Sequence, residues 1–289
     1  MRSHHENPEV FTSHDDNFRT SDGADIHFID IGRGRPLVMI PGWSQTAEMF
    51  KNQYLPLSKH FRCVAVDMRG HGESKDLDFG FTIDRLAQDL HELVDQLELE
   101  KPIFLGHSMG ASVLWAYTEK YGSTNISKMI FVDQPPILLS GKGWTEHECR
   151  QYGAIFDTVA VDELCGRLRG KEAIQATREL LRNMFTSAYT AEALDWVLSE
   201  NLKLRRDAAA ALLRDHCSHD WRETIKVIEV PCLVIGGEVS IMPWQSQHWI
   251  GEQIADAKVV LFNEHDGGQH FMFLENPKKF NKIICNFCQ

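Results

Sequence analysis

The sequence predicts an α/β fold, a mostly parallel sheet with helices on both faces, interrupted by a purely helical insertion. Three observations carry this. The short apolar runs Leu37–Ile40, Cys63–Val66, Ile103–Leu105, Lys128–Asp133, Pro231–Gly236 and Ala257–Phe262 are largely continuous rather than alternating. Strands of that kind are buried on both faces, as in parallel sheets. Segments with helical spacing separate most of them. Residues 137–225 carry helical patterns without strands, after which the alternation resumes.

Taken in order, residues 1–16 are polar and histidine-rich and read as a flexible tail. His4, His5 and His14 suit a solvated tail better than a metal site. Residues 17–31 read as a hairpin turning at Ser21-Asp22-Gly23. A helix is expected around Thr46–Leu57, and another from an N-cap at Thr82 to about Leu97, where Ile83, Leu86, Leu90, Leu93, Val94 and Leu97 fall at helical spacing. The insertion reads as a helical cap with segments at Glu146–Val159, Val161–Leu168, Glu172–Phe185, Ala191–Leu202 and Arg206–His216. Trp244–Ile254 and Pro277–Phe287 are the last two helices expected. This divides the chain into a tail (1–16), a core in two pieces (17–136 and 226–289) and the cap (137–225).

Composition narrows the function. The chain has 289 residues, 43% hydrophobic and 25% charged, enough for a large core. A formal charge of −11 without basic runs argues against a nucleic-acid partner. No apolar run reaches membrane-span length, and Met1–Pro8 lacks the apolar stretch of a signal peptide, so a cytoplasmic location is expected. The seven cysteines follow no framework spacing. Cys63 and Cys232 read as core thiols, and Cys285-x-x-Cys288 as an inert pair closing a helix. No metal constellation or phosphate-cradling loop appears, so no cofactor is expected. The expected partner is a small-molecule substrate, and the expected assembly a monomer or homodimer.

The chemistry centres on Gly106-His-Ser108-Met-Gly110, between an apolar strand and a helix. Gly-x-Ser-x-Gly is the spacing of a nucleophile elbow. The serine sits on a strained strand-to-helix turn, and small residues either side let backbones pass closely. A serine hydroxyl needs an adjacent base, itself oriented by a third group. His270, in Asp266-Gly-Gly-Gln-His-Phe, lies after the last strand on a glycine-bearing loop and is preferred over His265.

Pro41-Gly-Trp43, Asp67-x-Arg-Gly-His-Gly-x-Ser74, Gly106-x-Ser-x-Gly110, Gly236-Gly-Glu238 and Gly268-x-His270-Phe271 together resemble the α/β-hydrolase superfamily over nearly the whole chain after residue 17. The resemblance implies the order nucleophile, acid, histidine, and an oxyanion hole from the backbone N–H groups of Trp43 and Met109. It also implies that Arg69-Gly-His71 is structural. The acid departs from the common pattern: where the superfamily's usual aspartate follows the penultimate strand, this chain has Ser240. Some members instead resemble it in placing the acid after the strand that follows the nucleophile. Here that position is Asp133, 25 residues after Ser108. Asp133 is equally the residue to cap an Asp-Gln-Pro-Pro turn. Glu238 is the alternative acid, and a site without a carboxylate stays open. His107 reads as a packing or supporting residue.

Trp144, Phe156, Met184, Phe185, Tyr189 and Trp196 supply the cap's aromatic and thioether side chains. Some would line an apolar pocket for a bulky, uncharged substrate. The expected activity is hydrolysis of a carboxylic ester or lactone through an acyl-enzyme on Ser108. Three alternatives use the same scaffold: hydrolysis of activated C–C bonds, a cofactor-free dioxygenase with a His270/Asp133 base dyad, and a non-enzymatic ligand receptor. Gln45 and Met109 stand where dioxygenases of that kind carry histidines. A carboxylate nucleophile, needed for dehalogenase or epoxide hydrolase chemistry, is absent from the elbow.

Overall fold

A computed structural model describes residues 13–289 apart from residue 76. Eight strands form one sheet: β1 (Ser13–Arg19), β2 (Asp25–Gly32), β3 (Pro36–Ile40), β4 (Arg62–Val66), β5 (Ile103–His107), β6 (Lys128–Val132), β7 (Cys232–Gly237) and β8 (Ala257–Phe262). Their order is β1-β2-β4-β3-β5-β6-β7-β8. β1 and β2 pair antiparallel, β2 meets β4 antiparallel, and every later pairing is parallel. The continuous apolar runs are the parallel strands: β3, β4, β5 and β6 are buried almost throughout.

The tail ends earlier than the sequence reading places it. Residues 13–16 already belong to β1, which pairs along its full length with β2. The unbroken polar run from Ser13 to Asn17 hid this strand. It occupies the sheet edge, and His27 of β2 draws Asp15 in through its Nε2 while Nδ1 engages Asp67 at 2.8 Å. Residues 1–12, with His4 and His5, lie outside the described part.

Two apolar clusters cover the two faces of the sheet. One contains Val38, Val64, Phe104, Phe131 and Trp115; the other contains Leu37, Cys63, Leu105, Ile130 and Phe273. Alternate residues of one strand therefore serve opposite faces, as the pleat requires. Between β6 and β7 the chain forms, among the described residues, helices and two isolated bridges but no strand, the helices lying at Glu146–Tyr152, Thr158–Arg169, Ala173–Arg182, Ala191–Asn201, Arg206–Cys217 and Arg222–Lys226. The expected helix Glu146–Val159 stops at Tyr152. Gly153 turns left-handed at φ 78°, and the chain then crosses to bridge Leu139 before Asp157 caps the next helix. The expected helix around Thr46–Leu57 is a 3-10 turn at Ala47–Phe50 followed by an α-helix at Lys51–Ser58.

The parallel strands end level with one another. Ile40 pairs with Gly106, His107 with Val132, Val132 with Ile235 and Gly237 with Phe262. The chain reverses direction across the sheet between β3 and β5, and a crevice opens at such a switch point beyond the carboxyl ends. The residues after β3, β5, β6, β7 and β8 are thereby gathered along one edge of the molecule. Among the described residues, no helix is long and apolar enough to cross a membrane.

Candidate active site

Ser108 stands on the elbow between β5 and the helix Met109–Tyr121, at φ 51° and ψ −126°. Such a backbone is costly for a residue with a side chain and persists only where its surroundings over-determine it. They do so here. A Cβ on Gly110 would lie 2.2 Å from the Ile40 carbonyl oxygen, and one on Gly106 would lie 2.5 Å from the Gly110 backbone. Only glycine permits the helix to start this close to β3 and β5. The Ser108 N–H donates to the Val132 carbonyl at 2.8 Å, which ties the elbow to the end of β6. Ser108 remains 7% exposed, whereas His107 and Met109 on either side are fully buried.

The next residue beyond that tie is Asp133, also left-handed at φ 52° and fully buried. Its N–H donates to Ile235 at 2.7 Å. Its Oδ2 accepts the His270 Nδ1–H at 2.7 Å and the Ser240 hydroxyl at 2.5 Å, while Oδ1 accepts the Gly237 N–H at 3.1 Å. Of the two carboxylates left open by the sequence, Asp133 meets the histidine. Glu238 is exposed, and its N–H joins the Phe262 carbonyl at 2.9 Å. Ser240, at the usual acid position, is a donor to the displaced carboxylate. That role was invisible in sequence because it depends on β6 and β7 ending side by side.

With Nδ1–H given to Asp133, the lone pair of His270 is on Nε2, as a general base requires. Two contacts hold the chain at His270. Phe271 stacks on Phe185 at 4.6 Å between ring centres, and the His270 carbonyl accepts Nε2–H of the buried His107 at 2.9 Å. The other nitrogen of His107 lies 3.1 Å from Gln45 Oε1. Burial, with His270 beside it, pushes His107 well below the ordinary histidine range, so it serves as a neutral brace. His265 is exposed on the short turn Glu264–Asp266.

The loop after β3 approaches Ser108 closely: a Cβ on Gly42 would stand 3.0 Å from the Ser108 Cβ. Gly42 N–H donates to Gln45 Oε1 at 3.1 Å, Ser44 N–H to His71 Nε2 at 3.2 Å and Ala47 N–H to Asp67 Oδ1 at 2.7 Å. Among the described residues, Trp43 N–H has no such acceptor. Met109, the first residue of its helix, likewise has no intrahelical acceptor for its N–H. His71 thus contributes more than its motif suggested, fixing this loop from below. Arg69 is buried against Asp89 at 2.8 Å and Asp22 at 3.1 Å.

The six cap residues fall into separate places. Phe185 is buried between Tyr189 (4.0 Å) and Phe271, the residue next to His270. Met184 and Trp196 pack at the edge of the same cluster, and Lys51 Nζ lies 3.2 Å over the Trp196 ring. Phe156 packs against the opposite cluster, which includes Trp43 and Met109. Trp144 sits farther along the cap, against Tyr152 (5.4 Å) and beneath Arg222.

A serine on a strained elbow, with a carboxylate-bound histidine at the neighbouring strand ends of a mostly parallel sheet, defines a class of α/β enzyme-like folds. The α/β hydrolase fold family model matches residues 35–277, and the chain belongs to that family. It is 26% identical to the AB hydrolase superfamily protein YisY of Bacillus subtilis, over 93% of this chain and 97% of that one. It is 25% identical to a bifunctional esterase/perhydrolase of Acinetobacter calcoaceticus, over 93% of this chain and 97% of that one. The solved esterase of Exiguobacterium antarcticum superposes with a TM-score of 0.86 at 24% identity, covering 95% of this chain and 99% of the other.

Proposed function

We propose that this chain is a serine hydrolase that cleaves a carboxylic ester or lactone of a bulky, largely apolar substrate. Ser108 attacks the carbonyl carbon as His270 Nε2 takes the hydroxyl proton. Asp133 holds the imidazole in the correct tautomer and stabilises the imidazolium. The N–H groups of Trp43 and Met109 receive the developing oxyanion. His270 then gives its proton to the departing alcohol oxygen. A water activated by the same ring afterwards releases the acid from Ser108. The observation that carries this reading is the 2.7 Å contact between His270 and a fully buried Asp133, one strand over from the elbow serine. The stacked rings of Phe185 and Tyr189 beside Phe271 favour an apolar acyl or ring portion. The resemblance to an esterase/perhydrolase favours a second acceptor for the acyl group: hydrogen peroxide in place of water, yielding a peracid.

The test is hydrolysis of short p-nitrophenyl esters together with fluorophosphonate labelling. Ser108→Ala should abolish labelling and lower kcat by about three to six orders of magnitude; Asp133→Asn should lower it by roughly four. Glu238→Gln should keep the wild-type rate. Persistent turnover in Ser108→Ala sinks the serine mechanism and favours the base-dyad reading, whereas a wild type that neither turns over nor labels favours the receptor reading.

A further inference from the structure

The loop that carries Trp43 is fastened to the cap as well as to the core. Trp43 Nε1–H donates to the Ala209 carbonyl at 2.7 Å, the Ser44 hydroxyl to the Asn201 carbonyl at 2.8 Å, and the Thr46 hydroxyl to Glu200 at 2.6 Å. All three partners lie on the adjoining cap helices Ala191–Asn201 and Arg206–Cys217. At the junction of those helices sits Arg206. Its Nη2 donates to the Ser44 hydroxyl at 2.7 Å and to the Asn201 carbonyl, Nε donates to the Leu204 carbonyl at 3.0 Å, and Nη1 reaches the Thr177 hydroxyl at 3.4 Å. Every acceptor is neutral. Among the described residues, no carboxylate is within ion-pair distance of Arg206, and burial alone lowers its pKa to about 10.

A mostly buried guanidinium without an anion is a poor device for stability, because desolvating it costs more than neutral acceptors return. Its geometry suits another purpose. The planar fork presents several fixed donors at once, and here it joins the end of one cap helix, the start of the next and Ser44. Ser44 itself is held at φ 58°. Ser44 is therefore held from the cap side by Arg206 through its hydroxyl and from the core side by His71 through its N–H, and this anchors the carboxyl side of Trp43, whose own N–H lies in the adjoining Gly42–Trp43 peptide.

We propose that Arg206 is a positioning residue for the oxyanion hole: by clasping Ser44 to the cap, it aims the Trp43 N–H at the reacting carbonyl oxygen. This rests on the serine-hydrolase reading above. It makes the cap part of the catalytic geometry rather than only a wall of the substrate site. It also places a fixed positive charge behind the loop that receives the developing negative oxygen.

The experiment compares wild type with Arg206→Met, Arg206→Lys, Ser44→Ala and the Arg206→Met/Ser44→Ala double variant. Three quantities are measured: kcat and KM on p-nitrophenyl butyrate, affinity for a boronic acid that forms a tetrahedral adduct on Ser108, and deuterium uptake of peptides spanning 41–47 and 109–121. Arg206→Met should lower kcat about 10- to 100-fold with KM changed less than about threefold, since a misaimed donor affects the transition state selectively. Boronate affinity should fall by a similar factor. Uptake should rise in 41–47 and stay unchanged in 109–121. Arg206→Lys, which keeps the charge without the fork, should retain part of the rate. The double variant should be no slower than the slower single variant, because both changes break one linkage. Unchanged kcat, additive losses, or unchanged uptake in 41–47 overturns the proposal. Should a variant fold poorly, Ser44→Ala and Arg206→Lys still read the linkage. Turnover that survives in Ser108→Ala overturns the serine reading instead, while exchange in 41–47 still reports whether Arg206 holds the loop.

Discussion

The departure that matters most is a single exchange of roles. Ser240 occupies the position from which the superfamily's usual aspartate reaches the histidine, and Asp133 reaches it from the neighbouring strand. The hydroxyl then becomes a donor to the carboxylate that replaced it, at 2.5 Å, alongside the Gly237 N–H at 3.1 Å. A buried carboxylate needs such donors, since otherwise burial disfavours its charged form. Replacing Ser240 by alanine should cost roughly 1.5–3 kcal/mol of stability, the range for a hydrogen bond to a charged group. Urea unfolding of Ser240→Ala measures this; a loss below about 0.5 kcal/mol, within the scatter of ordinary surface substitutions, refutes it.

Among the elements, the strand–elbow–helix unit is the most constrained. Its serine can present a hydroxyl above the sheet only because the helix begins in near-contact with β3. Gly110→Ala puts a methyl where the Ile40 carbonyl stands, 2.2 Å away. The helix must then retreat by about an ångström and carry Ser108 off its line. A displacement of that size should slow fluorophosphonate labelling about 100-fold, with secondary structure retained by circular dichroism. Wild-type labelling of Gly110→Ala rules out this account of the elbow. The glycines of this motif were legible in sequence because they impose a local requirement. The edge strand at Ser13–Arg19 was not, because only pairing with β2 and the reach of His27 make those polar residues a strand.

For the molecule as a whole, buried histidines give stability a dependence on acid, His71 and His216 in the same sense as His107. Burial lowers His71 to about 4 and His216 to about 3, from an unfolded value near 6.5. Both are neutral in the fold across the range where the unfolded chain takes up protons. Their contribution is full above pH 6.5 and lost progressively down to about pH 4 and 3. At about 1.4 kcal/mol per unit, each is worth on the order of 3–5 kcal/mol at that limit. His27, raised by its two carboxylates against the opposing effect of burial, has the opposite sign: its contribution is present below pH 6.5 and lost above. His216 Nδ1 is buried without a partner among the described residues. His216→Leu should therefore flatten the decline of unfolding free energy between pH 6.5 and 4, followed by urea titration at each pH. An unchanged slope contradicts it.

Periodicity, strand composition and motif spacing determined the architecture by themselves, and the motifs singled out Ser108 and His270 as the candidate reacting side chains. Those signals are local: an apolar run, a helical repeat or a glycine spacing carries its meaning wherever it folds. For the candidate acid the sequence offered Asp133, Glu238 or a site without a carboxylate. Only tertiary structure distinguished their positions, because the choice depends on which strand end faces the His270 loop. The same is true of Ser240, His71 and Arg206, whose partners lie 107, 27 and 162 residues away. No pattern along a chain records a hydrogen bond made across such separations. It exists only once the sheet has set its strands in order and the cap has closed over their ends.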